Sequence, residues 1–170
     1  MMLIHEIIEK VEALRKQYSL DSVPVNLSKL LEGENIKVID RDFTKHEEQA
    51  SKSISGMLYI DNDSKFILVN ERDNPRRKNF TIAHELGHYY LHYDKDSKSE
   101  VFVSFRGDSN PTETEANRFA AELLLPDDKV KMEYGSAIFP MVSYLADKFN
   151  VSEQAMGIKL EQMGLSYIGL

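Results

Sequence analysis

The stretch FTIAHELGHYYLHYD, residues 80–94, places histidines at positions His84, His88 and His92, four residues apart each time. Residues at this spacing share one face of an α-helix, so the stretch predicts a helix with three imidazoles on one side. Most of its other residues are apolar or small, which indicates a largely buried helix. Buried imidazoles and the carboxylate of Glu85 then need polar partners, because burial without partners is strongly unfavourable.

The segment from His84 to His88 reads HELGH, and two histidines at this spacing can hold one Zn²⁺. Glu85 lies about 100° from His84 and about 60° from His88 around the helix, beside the expected ion. That position suits a base that takes a proton from a water molecule at the metal. Gly87 costs a helix about 1 kcal/mol relative to Ala, which suggests that another backbone approaches closely there. The alternative is a helix that exposes two histidines without any metal.

A catalytic zinc has three protein ligands and one open position, so a third ligand must come from elsewhere. The extended HExxHxxGxxH pattern is absent, since its last position is Asp94. The helical run TETEANRFAAELLLP offers Glu113 and Glu115, which lie about 200° apart and cannot both face one ion. The apolar stripe weakly favours the face of Glu113 and Asn117, one of which could ligate while the other hydrogen-bonds a ligand histidine. The choice of glutamate stays open, and Glu113 could instead be an acid favoured by the helix dipole.

Other histidines and tyrosines are weaker candidates. His92 lies about 80° from the first histidine of the motif and is predicted to point past the metal, as a helix-end histidine stabilised by the dipole. The alternative is a contact with the zinc or the substrate. Tyr89, Tyr90 and His92 are candidates for stabilising an oxyanion, none of them favoured. His5 and His46 have no partner in the sequence and are predicted to lie on the surface.

Composition excludes several classes of site. The chain has 170 residues, no cysteine and a net charge of −7. Without cysteine, a metal site must use histidines and carboxylates. The negative charge disfavours non-specific nucleic-acid binding. No signal peptide and no apolar run of about 18 residues is present, which predicts a cytoplasmic protein without a membrane span.

Periodicity along the chain predicts an α+β fold with a small, mostly antiparallel sheet and several helices. We expect a core of residues 1–126 and a helical subdomain of residues 127–170 packed on it. The expected elements are a helix over about 2–18, a short helix before a strand at 36–39, a loop at 40–53, a hairpin of 54–60 and 66–70, a helix over 78–92, a strand at 101–105, a helix ending at Pro126, and two or three helices in 127–163.

Two further segments bear on binding. Residues 142–165 have a helix–turn–helix look, but their second helix carries Glu153 and Glu161 and only Lys159 as a cation. Recognition helices need several basic or amide side chains, so we expect packing or protein docking and no direct nucleic-acid contact. The hairpin segment Gly56 to Ile60 could pair with an extended substrate strand if it lies at a sheet edge.

The runs NFTIAHELGHYYLH and ETEANRFAAELLLP, in this order, resemble the ImmA/IrrE family of zinc metallopeptidases. The segments SISGMLYIDNDSKFILVN and VPVNLSKLLEGENIKVI are also similar to that family, so the resemblance covers roughly residues 20–165. It implies a thermolysin-like active-site helix carrying His84 and His88. It also implies that the third zinc ligand is the glutamate of the ExxAN run, which is Glu113.

The resemblance further implies a zinc endopeptidase that cleaves a helix–turn–helix repressor. Cleavage would release genes of a prophage or other mobile element, or stress genes. The alternative is a repressor-binding module without proteolytic activity that holds a structural zinc. Glu85 argues against this alternative, since a structural site has no use for a general base.

Overall fold

The computed structural model describes residues 2–43, 54–107 and 109–169, which form seven helices and four strands. His46 and most of the predicted loop at 40–53 lie outside the described residues, whereas His5 is exposed as expected. Among the described helices, none combines the length and the apolar content that a bilayer span requires. The helices are α1 (Ile4–Tyr18), α2 (Ser28–Gly33), α3 (Pro75–Leu91), α4 (Pro111–Leu124), α5 (Asp127–Ser136), α6 (Val142–Phe149) and α7 (Glu153–Gln162), and the strands are β1 (Ile36–Arg41), β2 (Ile54–Asp61), β3 (Ser64–Asn70) and β4 (Ser99–Phe105).

The four strands form one sheet in the order β1-β3-β2-β4. The hairpin of β2 and β3 is antiparallel, β4 adds antiparallel to β2, and β1 runs parallel to β3. The predicted α+β class with a mostly antiparallel sheet is therefore confirmed. The prediction that Gly56 to Ile60 could pair with a substrate strand is wrong, because β2 is flanked on both sides by β3 and β4. Among the described strands, the sheet edges are β1 and β4.

The core lies between the sheet and the helices α1, α3 and α4. Alternate residues of the hairpin point inward, and Leu58, Ile60 and Ile67 are fully buried there. The helix α3 packs against β2 and β3 on one side and against α4 on the other, and α1 covers α4. This layering leaves α3 in the interior, which explains its apolar surroundings in the sequence.

The central helices α3 and α4 begin with the same type of N-terminal cap. Asn74 and Asn110 are the N-caps of α3 and α4, and each is followed by a proline in the first turn. An asparagine cap accepts a free backbone N–H, and proline suits the first helical position because it has no N–H to satisfy. The side chain of Asn110 accepts from the backbone N–H of Glu113 at 3.0 Å, so the cap also fixes the backbone that carries this glutamate.

The C-terminal helices are tied to α4 by charge as well as by apolar packing. The turn between α6 and α7 uses Asn150 in the left-handed conformation, and the Ser152 side chain caps α7. The ammonium group of Lys159 on α7 is 2.8 Å from Glu122 on α4 and 2.6 Å from Asp127 on α5. Since Lys159 is only 3% exposed, the one cation of this helix is not available to a nucleic acid.

Candidate metal centre

The imidazoles of His84 and His88 and the carboxylate of Glu113 meet in the interior. The two Nε2 atoms are 3.1 Å apart. One carboxylate oxygen of Glu113 lies 3.0 Å from Nε2 of His84, and the other lies 3.0 Å from Nε2 of His88. All three side chains are buried, and one atom from each lies within 4.8 Å of the others. The structure thus brings together the two motif histidines of α3 and one glutamate of α4.

These distances fit a tetrahedral cation. Ligand atoms about 2.0–2.1 Å from a tetrahedral zinc are about 3.3 Å from one another, close to the separations observed. Two imidazole nitrogens facing each other at 3.1 Å repel through their lone pairs unless a cation or a proton lies between them. Burial opposes ionisation of Glu113, but the hydrogen bonds from His84 and His88 outweigh it and lower its pKa to about 2. Two nitrogens and one carboxylate form a donor set that suits Zn²⁺.

The close approach of α3 and α4 depends on Gly87. A Cβ at this position would lie 2.9 Å from the Cα of Ala116 and 3.0 Å from its carbonyl oxygen. Real side chains do not tolerate such contacts with backbone, so the two helices can be this close only at a glycine. Gly87 stands between His84 and His88 along the chain, and the contact therefore occurs at the level of the three converging side chains.

Glu85 lies beside this cluster and is completely buried. Within the described part of the chain, neither of its carboxylate oxygens has a hydrogen-bond partner of good geometry. Burial raises the pKa of Glu85 to about 7, and the nearby charge of His84 opposes this rise. A carboxyl group with a pKa near neutrality can both take up and release a proton under ordinary conditions.

The strand β2 makes room for this carboxylate at Gly56. A Cβ on Gly56 would lie 2.7 Å from one oxygen of Glu85 and 2.5 Å from the side chain of Thr81. The pairing of β2 with β4 shifts register between Ile54 and Gly56, which is a local irregularity of the β-bulge type. Bulges occur beside active sites because they redirect the neighbouring side chains.

The edge strand β4 supplies two contacts that sequence reasoning missed. The hydroxyl of Ser104 lies 3.1 Å from Nε2 of His84, and the ring of Phe102 stacks on His88 with centroids 5.2 Å apart. Ser104 is buried, and its place between the apolar residues Val103 and Phe105 is the sequence signal that could have marked it. The position of β4 along α3 follows from strand order, which the sequence does not specify.

Each motif histidine has a hydrogen-bond partner for its second ring nitrogen. Nδ1 of His84 is 3.0 Å from Oδ1 of Asn117 on α4. Nδ1 of His88 is 3.1 Å from Nδ1 of His92. In both cases Nε2 is left facing the site, which is the arrangement that metal-binding histidines require.

The two candidate glutamates have different places. Glu113 faces the motif histidines, whereas Glu115 lies 3.0 Å from Nε2 of His92 and also accepts from the backbone N–H of Met2. The ring nitrogens of His92 therefore pair with His88 and Glu115. Although His92 is the C-cap residue of α3, its imidazole is held by these side chains.

The expectation that Tyr89 or Tyr90 stabilises an oxyanion is not supported. The hydroxyl of Tyr89 donates to Glu34 at 2.9 Å, and that of Tyr90 donates to the same carboxylate at 2.8 Å. Both side chains leave α3 on faces about 100° and 200° away from His88, towards the end of α2. Their hydroxyls are engaged in a structural cluster with Glu34 and not with the histidine site.

A sequence model of the family described as the IrrE N-terminal-like domain matches residues 32–161. Among curated relatives, the uncharacterized immunity region protein 2 of Bacillus phage phi105 is 34% identical over 120 residues. The match covers 69% of this chain and 66% of that protein. The metallopeptidase ImmA of Bacillus subtilis strain 168 is 31% identical over 110 residues, 65% of this chain and 64% of that protein.

A third relative is the radiation response metalloprotease IrrE of Deinococcus radiodurans. It is 29% identical over 99 residues, 57% of this chain and 26% of that protein. The matches therefore span less than two thirds of the length of each of these three relatives. The matched part of the chain contains both histidines of the HELGH segment and Glu113.

Proposed function

This chain belongs to the IrrE N-terminal-like domain family, and from that premise we propose that it is a zinc-dependent endopeptidase. In this proposal His84, His88 and Glu113 hold the ion. The observation that carries the proposal is the convergence of these three buried side chains within 4.8 Å, beside a second buried acid, Glu85. The names of two relatives, a metallopeptidase and a metalloprotease, support the same reaction.

The second buried acid, Glu85, is the proposed general base. The zinc that His84, His88 and Glu113 would hold would supply a Lewis acid for the scissile carbonyl and for water. Glu85 accepts the proton of the attacking water and returns it to the leaving amine, which its pKa of about 7 allows. Asn117 and the other partners of the histidine Nδ1 atoms keep the ligand rings oriented.

We propose that an extended substrate segment pairs with β4. This strand is a sheet edge among the described strands, and Phe102 and Ser104 place it directly against the motif histidines. Addition of a strand to a free edge uses main-chain hydrogen bonds and is a common mode of peptide recognition. The edge strand β4 thus replaces the β2 segment that the sequence suggested.

The proposed substrate is a helix–turn–helix repressor whose cleavage releases genes of a mobile element or stress genes. One relative is an immunity region protein of a phage, which favours a regulatory protein as the substrate. A transcriptional repressor would place the reaction in the cytoplasm.

We also propose that residues 127–170 form a helical subdomain on a core of residues 1–126, and that it docks protein rather than nucleic acid. The burial of the Lys159 ammonium group supports docking of protein, because this cation is not available to nucleic acid.

Metal analysis of the purified protein tests the first part. We expect about one zinc per chain, and we expect His88→Ala to lose it. A protein that takes up no zinc even when zinc is supplied would exclude the enzyme.

Incubation with helix–turn–helix repressors from the same genome tests the second part. Mass spectrometry should find defined fragments with the wild-type protein and none with Glu85→Gln, although this variant should retain zinc. The alternative, a repressor-binding module with a structural zinc, predicts a stable complex and no fragments with either protein.

A further inference from the structure

We propose that His92 and Glu115 form a positioning pair that sets the tautomer and ring orientation of His88. The inference rests on the proposed function, because it assigns His88 as a zinc ligand. His92 was considered above as a substrate or oxyanion contact, and Glu115 as a rival ligand. In the pair, neither residue touches the metal or the substrate, and both act through His88.

The contacts form a continuous chain of three side chains. Nδ1 of His88 is 3.1 Å from Nδ1 of His92, and Nε2 of His92 is 3.0 Å from a carboxylate oxygen of Glu115. The other carboxylate oxygen of Glu115 accepts from the backbone N–H of Met2 at 2.6 Å. Glu115 is only 7% exposed, so its position is fixed by these two donors rather than by water.

The proton positions along this chain follow from what each atom can do. The carboxylate of Glu115 can only accept, so Nε2 of His92 must donate to it. In a neutral imidazole the other nitrogen is then an acceptor, which makes Nδ1 of His92 an acceptor. Nδ1 of His88 must donate to this atom, and its Nε2 is left with a free lone pair. That lone pair faces Nε2 of His84 and the carboxylate of Glu113, where the cation is proposed to bind.

The helix α4 supports both ligand histidines in parallel ways. Its residues 113, 115 and 117 are, in order, the proposed ligand, the acid behind His92 and the amide behind His84. Asn117 reaches His84 directly at 3.0 Å, whereas Glu115 reaches His88 only through the imidazole of His92. Since His92 stands one turn after His88 on α3, it is placed to bridge this longer gap.

A purely structural tie between the end of α3 and the start of α4 would also explain the contact of His92 with Glu115. Two substitutions separate the explanations, because each preserves one end of the bridge. His92→Asn places an amide oxygen where Nδ1 stands and keeps an acceptor for His88, but it loses Glu115. His92→Gln reaches the position of Nε2 and keeps a donor for Glu115, but it leaves Nδ1 of His88 without an acceptor.

Zinc affinity, measured by competition with a chromophoric chelator, is the first readout. Loss of an outer hydrogen bond to a ligand histidine typically weakens metal binding by about 10–100-fold, and we expect this loss in His92→Gln. We expect His92→Asn to stay within roughly threefold of the wild type, because the acceptor for His88 is retained. Circular dichroism and urea unfolding of both variants control for the fold.

NMR of the imidazole N–H groups in the zinc-loaded protein is the second readout, and it does not depend on activity. The Nδ1–H proton of His88 should be hydrogen-bonded and slow to exchange with water in the wild type and in His92→Asn, and fast to exchange in His92→Gln. Equal zinc affinity and equal His88 spectra in the two variants would overturn the positioning role, as would a greater loss in His92→Asn. A wild-type protein that binds no zinc would instead refute the proposed function, so the two failures are distinguishable.

Discussion

Gly87 on α3 and Ala116 on α4 are in backbone contact, with 2.9 Å between the Cα of Ala116 and the place where a Cβ on Gly87 would stand. The contact lies between the two motif histidines and opposite the helix turn that follows Glu113. The close spacing of α3 and α4 at this site therefore depends on the absence of a Cβ at position 87. Gly87 destabilises α3 by about 1 kcal/mol relative to alanine, but it allows this close contact.

The substitution Gly87→Ala should separate α3 from α4. We expect it to lower the free energy of unfolding by about 1–3 kcal/mol, as overpacking does, although alanine favours helix. We also expect weaker zinc binding, because Glu113 moves away from the histidines. The matched control is Gly135→Ala on α5, where a Cβ would meet nothing within 4 Å. This control should be neutral or slightly stabilising in urea unfolding, and equal effects of the two substitutions would contradict the close contact.

The substitution Gly56→Ala should disturb Glu85 and leave the metal ligands in place. Its Cβ would stand 2.7 Å from an oxygen of Glu85, so the carboxylate must shift. We expect zinc stoichiometry to stay unchanged and the turnover number for repressor cleavage to fall by at least about tenfold, since displacement of a catalytic group by a fraction of an ångström is costly. Single-turnover cleavage and metal analysis on the same sample measure both. An unchanged turnover number would show that Glu85 tolerates the displacement.

Much of the site could be predicted because its determinants are local. The spacing of His84 and His88 and the place of Gly87 follow from helix geometry, and the structure shows the close backbone approach that this glycine suggested. Sequence geometry left Glu113 and Glu115 unresolved, because both lie on one helix and the rotation of that helix is decided by packing. The contacts that distinguish them, with His88 and with His92, connect residues far apart in the chain.

Other parts of the site depend on strand order, which no local pattern fixes. The hairpin of β2 and β3 was predicted correctly, but the addition of β4 to β2 buries the edge that seemed available to a substrate. The same addition brings Phe102 and Ser104 to the histidines. The hydrogen bonds of Tyr89 and Tyr90 could not be predicted from the sequence either, because their partner Glu34 lies more than fifty residues earlier in the chain.

The cluster around Glu34 predicts a dependence of stability on pH. Burial raises the pKa of Glu34, but hydrogen bonds from Tyr18, Tyr90 and Tyr89 outweigh it and lower the pKa below its usual value of 4.5. Because the folded pKa is depressed, the stabilisation is present above the unfolded pKa and is lost as the pH falls through the folded pKa.

We therefore expect Glu34→Gln to lower the free energy of unfolding near neutral pH by about 1–2 kcal/mol, given the partial exposure of the carboxylate. The difference from the wild type should shrink as the pH falls below 4.5 and through the lowered folded pKa of Glu34, since the carboxylate is then protonated in both states. Urea unfolding across pH measures it, and Glu32→Gln, at an exposed position of α2, is the control. A difference that persists in acid would mean that the charge of Glu34 contributes nothing.

The ammonium group of Lys159 predicts a strong coupling between α7 and the core. It lies 2.8 Å from Glu122 and 2.6 Å from Asp127, and the side chain is almost completely buried. Removing one partner of a buried ion pair leaves the other partner desolvated, although Arg118 at 2.7 Å still compensates Glu122 in part. We therefore expect Lys159→Met to lower the free energy of unfolding by about 2–3 kcal/mol in urea. Lys131→Met, at an exposed position of α5, should change it by less than about 0.5 kcal/mol. If the two substitutions had similar effects, Lys159 would be free to act outside the core, and a direct role in binding nucleic acid would again have to be considered.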